Sequence, residues 1–90
     1  MNINMVKFEE SNIGWDIVFE IRLDDTELLN LDPKSLDYIG DYEIVINKDL
    51  ITFTFELDKG ELKENETIDE RLKLIKTDIT SIINSCLKPL

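Results

Sequence analysis

From Ile13 to Asp24 the chain alternates strictly. Trp15, Ile17, Phe19, Ile21 and Leu23 are apolar, and Asp16, Val18, Glu20, Arg22 and Asp24 fall between them. A period of two over that length predicts a strand with one face toward a core and the other mostly toward water. Ile3 to Glu9 is also strand-like, although Val6 and Phe8 are out of step with Ile3 and Met5. The intervening Glu10-Ser11-Asn12-Ile13-Gly14 holds turn residues, so the two segments are expected to form a hairpin. A second hairpin is signalled by Tyr42, Ile44 and Ile46 on one side and Ile51, Phe53, Phe55 and Leu57 on the other. Asn47-Lys48-Asp49 supplies the turn between them. Asp58-Lys59-Gly60 ends the last strand.

The period changes near the C-terminus. Ile68, Leu72, Ile75, Ile79, Ile82 and Cys86 recur at spacings of four and three, with Ile83 and Leu87 widening the stripe. This predicts an amphipathic helix. Thr67 and Glu70 have the spacing of a capping box at its start, Asp69 and Glu70 suit the positive end of its dipole, and Pro89 marks its stop. Between the hairpins, Asp25 to Asp41 shows no clear period. Asp32-Pro33 reads as an N-cap and first helical residue, with about one turn over Lys34 to Tyr38 before Gly40. Leu28, Leu29, Leu31 and Leu36 are more apolar than a free loop requires, which suggests a segment lying over an edge of the core.

A one-faced sheet and a one-striped helix bury each other most simply in two layers. The expected fold is therefore α+β. An antiparallel sheet of about four strands, made of two hairpins, carries one long C-terminal helix across one face. Residues 1–90 are expected to be a single domain, because 90 residues leave no material for a second core. Strand order is left open by the pattern. Trp15 falls on the apolar face and is expected in the core, while Tyr38 and Tyr42 suit either the core edge or a partner contact.

Charge changes the picture. The chain carries a net −10, yet residues 71–90 are net +3 and residues 1–70 hold nineteen carboxylates against six cations. Such asymmetry costs folding energy by self-repulsion and suits a protein that meets a basic surface, or one kept soluble by charge. It disfavours anionic lipid and direct nucleic-acid binding. Alanine, glutamine and histidine are absent and isoleucine, lysine and asparagine abundant, a bias that fits an AT-rich genome such as that of a low-GC bacterium or its phage.

Candidate chemistry is sparse. There is no histidine, and Ser11, Ser35, Ser81 and Ser85 lie in no nucleophile motif, so covalent catalysis lacks a base. Asp24-Asp25 with Glu27, Asp41 with Glu43, and Glu61, Glu64 and Glu66 match no calcium-loop spacing and read as solvated acids. No cofactor or metal is expected. Cys86, the one cysteine, falls on the helical stripe and reads as a small buried hydrophobe. The N-terminus does not resemble a signal peptide and no stretch has the length of a membrane span, so a cytoplasmic location is expected.

The expectation is a non-enzymatic binding protein that inhibits or neutralises a basic, nucleic-acid-handling protein. Its general character is that of phage anti-defence or toxin-immunity proteins, without a motif tying it to a family. Asp16, Glu20, Asp24, Asp25, Glu27, Asp41, Glu43 and Glu56 are the expected contact residues. The alternative is an accessory or homodimerising domain. A monomer in isolation is expected because the helix stripe is needed for the core. Ile3–Glu9 and Tyr42–Ile46 are the strand edges through which two copies could still pair.

Overall fold

The structure, a computed structural model, describes residues 1–32, 36 and 42–87. Of the helical turn expected over 34–38 only Leu36 is described; Pro33, Tyr38, Gly40, Asp41 and the stop at Pro89 lie outside the described residues. Strands β1 (Asn2–Glu10), β2 (Gly14–Arg22), β3 (Glu43–Asn47) and β4 (Leu50–Asp58) form an antiparallel sheet in the order β1-β2-β4-β3. Helix α1 (Asp25–Asn30) follows β2, and the long helix α2 (Ile68–Cys86) closes one face of the sheet. The α+β arrangement expected from the two periods is therefore present.

The second hairpin docks through β4 rather than β3. Both central strands are nine residues long, and their registered pairs are apolar on one face: Trp15 with Leu57, Ile17 with Phe55, Phe19 with Phe53, Ile21 with Ile51. Matching two full-length apolar rows buries more surface than the five-residue β3 could offer in the same place. Phe19 and Phe55 stack with ring centroids 6.1 Å apart, and Tyr42 sits edge-on to Phe53 and Phe55 at 5.5 and 5.1 Å. Tyr42 thus packs at the core edge, and its hydroxyl donates to Asp78 Oδ2 at 3.2 Å.

The stripe on α2 meets this row as expected. Ile75, Ile79, Ile83 and Cys86 are buried, with Ile68, Leu72, Ile82 and Leu87 packed at the margins. Thr67 caps the helix, its hydroxyl accepting from Glu70 N–H at 3.2 Å. The C-terminal carbonyls are met by the preceding segment: Asp32 N–H donates to the Cys86 carbonyl at 2.9 Å, and Leu31 bridges to Leu87.

Three features differ from or refine the expectation. First, the Asp25–Asp41 segment begins with a regular helix, α1. Asp24 and Glu27 form a reciprocal capping box, Glu27 N–H to Asp24 Oδ1 at 2.8 Å and Asp24 N–H to Glu27 Oε1 at 3.1 Å, which satisfies two of the free donors at its start. Second, of the leucines expected over the core edge, Leu36 is buried and Leu31 packs against the core, but Leu28 and Leu29 point to solvent. Third, the misfit of Val6 and Phe8 is a β-bulge. Met5 pairs with Phe19 and Lys7 with Val18, so Val6 is the extra residue, and Phe8 returns to the helix side opposite Ile17.

Gly14 opens β2 because a Cβ there would collide with the Leu57 carbonyl oxygen. The glycine lets β2 and β4 close at the end where the sheet's acids gather.

Candidate functional site

On the sheet face turned away from α2, strand register brings together residues far apart in the chain. Four rows cross it. Asn2, Arg22, Leu50 and Asn47 form the first, and Asn4, Glu20, Thr52 and Val45 the second. Lys7, Val18, Thr54 and Glu43 form the third, and Glu9, Asp16 and Glu56 the fourth. The centre is thus β-branched and nearly neutral. The last row is three carboxylates side by side, with neighbouring strands about 4.8 Å apart.

That acidic row continues around the end of the sheet. An open recess of about 380 Å³ there is lined by Ser11, Trp15, Asp16, Glu56, Asp58 and Glu61 among others. Ser11 N–H donates to the Gly14 carbonyl at 2.7 Å and holds the turn that forms one wall. Asp58 caps the short 3₁₀ turn Lys59–Glu61, accepting from Gly60 N–H at 3.0 Å. The nearby cations are loosely engaged. Lys7 lies 3.7 Å from Glu9, and Lys59 lies 3.7 Å from Glu10 and 5.8 Å above the Trp15 ring. All four partners of these ion pairs are about half exposed or more, where such contacts contribute little.

The expected contact residues therefore divide. Asp16 and Glu56 are directly opposite each other within the acidic row, and Glu20 and Glu43 lie on the same face nearer its centre. Asp24, Asp25 and Glu27 are not with them: they start α1, beyond the opposite end of β2. Asp24 and Glu27 are engaged in the capping box, and Glu27 Oε1 also lies 2.7 Å from the Met1 ammonium, whose pKa that hydrogen bond pushes up. Asp41 lies outside the described residues. Glu9, Glu10 and Asp58 join the acidic end without having been singled out by spacing. Glu61, read in the sequence with Glu64 and Glu66 as a solvated acid, joins them, because only the strand register and the 3₁₀ turn bring these residues there.

A separate ionic contact fixes the connection from sheet to helix. Arg71 donates to Glu66 Oε1 through Nη2 at 2.6 Å and Nε at 3.0 Å, and through Nη2 to the Glu61 carbonyl at 3.0 Å. Glu66 Oε1 also accepts from Lys63 N–H at 3.2 Å. The Arg71 hydrogen bonds, then that from Lys63, hold the Glu66 carboxyl below the usual glutamate range. Among the described residues, no group of three or more acids or thiols is placed to hold a metal ion, and no helix is long and apolar enough to cross a membrane. Comparison with known proteins finds no matching family model, no matching curated protein and no matching solved structure.

Proposed function

We propose that this chain is a small non-enzymatic binding protein that engages a basic protein partner with the outer face of its sheet, and inhibits or neutralises it. The observation that carries the reading is the row Glu9, Asp16 and Glu56, three carboxylates in register across three strands. Like charges directly opposite in a sheet are destabilising by as much as ~1 kcal/mol per pair. A cationic surface laid over the row turns that repulsion into attraction. Proteins that handle nucleic acid carry cationic grooves built for phosphates and are the class of partner such a face suits, as in anti-defence or toxin-immunity proteins. Occupying the groove excludes the nucleic acid, so no catalysis is required of the inhibitor. A second reading, an accessory domain that self-associates, is favoured by one observation, the outer edge of β1, which no strand among the described residues pairs.

The test starts from a pull-down with mass spectrometry in the native host, followed by binding kinetics with the purified partner. Affinity is expected to fall steeply as salt rises past the point where the Debye length is about 8 Å. The triple variant Glu20→Lys, Glu43→Lys, Glu56→Lys is expected to slow association more than it speeds dissociation. A partner of neutral or acidic surface, or an affinity indifferent to both treatments, refutes the reading.

A further inference from the structure

β1 is an edge strand of nine residues, and among the described residues nothing pairs with its far side. Its helix-side residues are Ile3, Met5, Phe8 and Glu10, since they register with Ile21, Phe19, Ile17 and Trp15. Unlike the equivalent residues of β2 and β4, Met5 and Phe8 remain 45% and 40% exposed. Beside them, between β1 and α2, runs a groove of about 200 Å³ lined by Ile3, Met5, Phe19, Leu72, Lys73 and Lys76. Neither lysine has an ion-pair partner among the described residues. An apolar groove with two unengaged cations, next to a free strand edge, suits an extended segment that carries apolar side chains and a carboxylate.

β1 is itself such a segment. We propose that it pairs antiparallel with β1 of a second copy, about a two-fold axis between Val6 and Lys7, to form a continuous eight-stranded sheet. In that register Ile3 lies opposite Glu10 of the second copy, and Met5 lies opposite its Phe8. The bulge at Val6 is what makes the register specific. Of the possible two-fold registers, this one alone sets all four helix-side residues of one strand against the four of the other. The exposed Met5 and Phe8 then cover each other. Glu10 of the second copy arrives beside Ile3, at the groove lined by Lys73 and Lys76. Glu10 is free to do so because its present contact, 3.7 Å from the exposed Lys59, is weak.

The monomer expected from the sequence rests on the helix stripe, and that stripe is occupied in the core. The β1 edge is a separate surface and does not compete for it. The pairing buries two short apolar rows, less than a standard interface of about 1,200–2,000 Å², and each copy carries −10. The dimer is therefore weak and concentration-dependent. It does not require the basic-partner reading, whose row Glu9, Asp16 and Glu56 lies on the sheet's outer face, although Glu10 stands at the same acidic end. The Lys73→Glu, Lys76→Glu variant tests the dimer without touching that end.

Sedimentation equilibrium from micromolar to submillimolar concentration tests the proposal, with circular dichroism confirming that each variant is folded. Wild type is expected to pass from monomer toward dimer over that range. Glu10→Lys alone, or Lys73→Glu with Lys76→Glu, is expected to weaken self-association by about tenfold. Mixing the two variants restores association, because every cross-strand contact again joins opposite charges. Wild type that stays monomeric at submillimolar concentration overturns the proposal. So does a dimer that survives both charge reversals, or a mixture no tighter than its components.

Discussion

On β4, Ile51, Phe53, Phe55 and Leu57 face α2 and are sealed from water, while Thr52, Thr54 and Glu56, one residue away on the same strand, face solvent. On the helix side, the registered pairs of β2 and β4 are alike because burial rewards apolar surface against apolar surface. On the outer side, registered residues are alike in one row only, and there the likeness is repulsive. A sheet under selection for stability alone would place a cation opposite Asp16, as it places Arg22 within 3.2 Å of Asp49 at the other end. The contrast separates the face that holds the fold from the face to which the proposed reading assigns the partner.

The contrast breaks most visibly if the wrong face proves to carry the stability. Phe53 and Ile79 are fully buried, one on the sheet and one on the helix that covers it. Phe53→Ala or Ile79→Ala is expected to cost about 2–5 kcal/mol, through lost transfer energy and the cavity left behind. Thr54→Ala, beside Phe53 but on the outer face, is expected to change stability by well under ~1 kcal/mol. Urea denaturation of the three variants checks the ordering, and a larger loss at Thr54 than at Phe53 would invert the faces.

A smaller effect concerns the connection that brings α2 onto the inner face. Because Glu66 is held below its ordinary pKa of 4.5 in the fold, it binds protons less readily folded than unfolded. Its contribution is therefore fully present above the unfolded value and is lost as pH falls through the lower folded value. Melting curves of wild type and Glu66→Gln are expected to differ above about pH 5 and to converge as the medium becomes more acidic. A gap that widens on acidification contradicts the role given to the Arg71 contact.

Legibility in the sequence follows the same division. The inner face could be read because burial imposes a period: two on Trp15 to Leu23 and Ile51 to Leu57, and three-to-four on Ile68 to Leu87. The bulge was visible only as a misfit at Val6 and Phe8, since an extra residue resets the alternation without leaving a residue type of its own. α1 was hidden because Asp24 and Glu27, which cap it, look like solvated acids in a chain with so many. Glu66 and Arg71 are five apart across a helix start, a spacing outside the helical-neighbour pattern. The acidic row was the least accessible. Glu9, Asp16 and Glu56 come from three strands, and the register that aligns them depends on β4, not β3, lying against β2.

The finest test of the contrast is on the row itself, where the expected change is small and its sign decides. Glu56 lies opposite Asp16, which lies opposite Glu9, so Asp16 is flanked by a carboxylate on each side. Glu56→Gln keeps the size and removes one charge. If the row is a source of repulsion retained for binding, this variant is more stable than wild type by about 0.2–1 kcal/mol at low salt. Added salt shrinks the gain, because exposed charges are screened within a Debye length. The partner should bind the same variant less tightly, so stability and affinity move in opposite directions. Glu20→Gln is the control, since Glu20 stands opposite Asn4 and Thr52 and has no like charge in its row. It is expected to weaken binding without a matching gain in stability. Equal stability changes at Glu56 and Glu20 would mean that the overall charge, rather than the row, sets the energetics of this face.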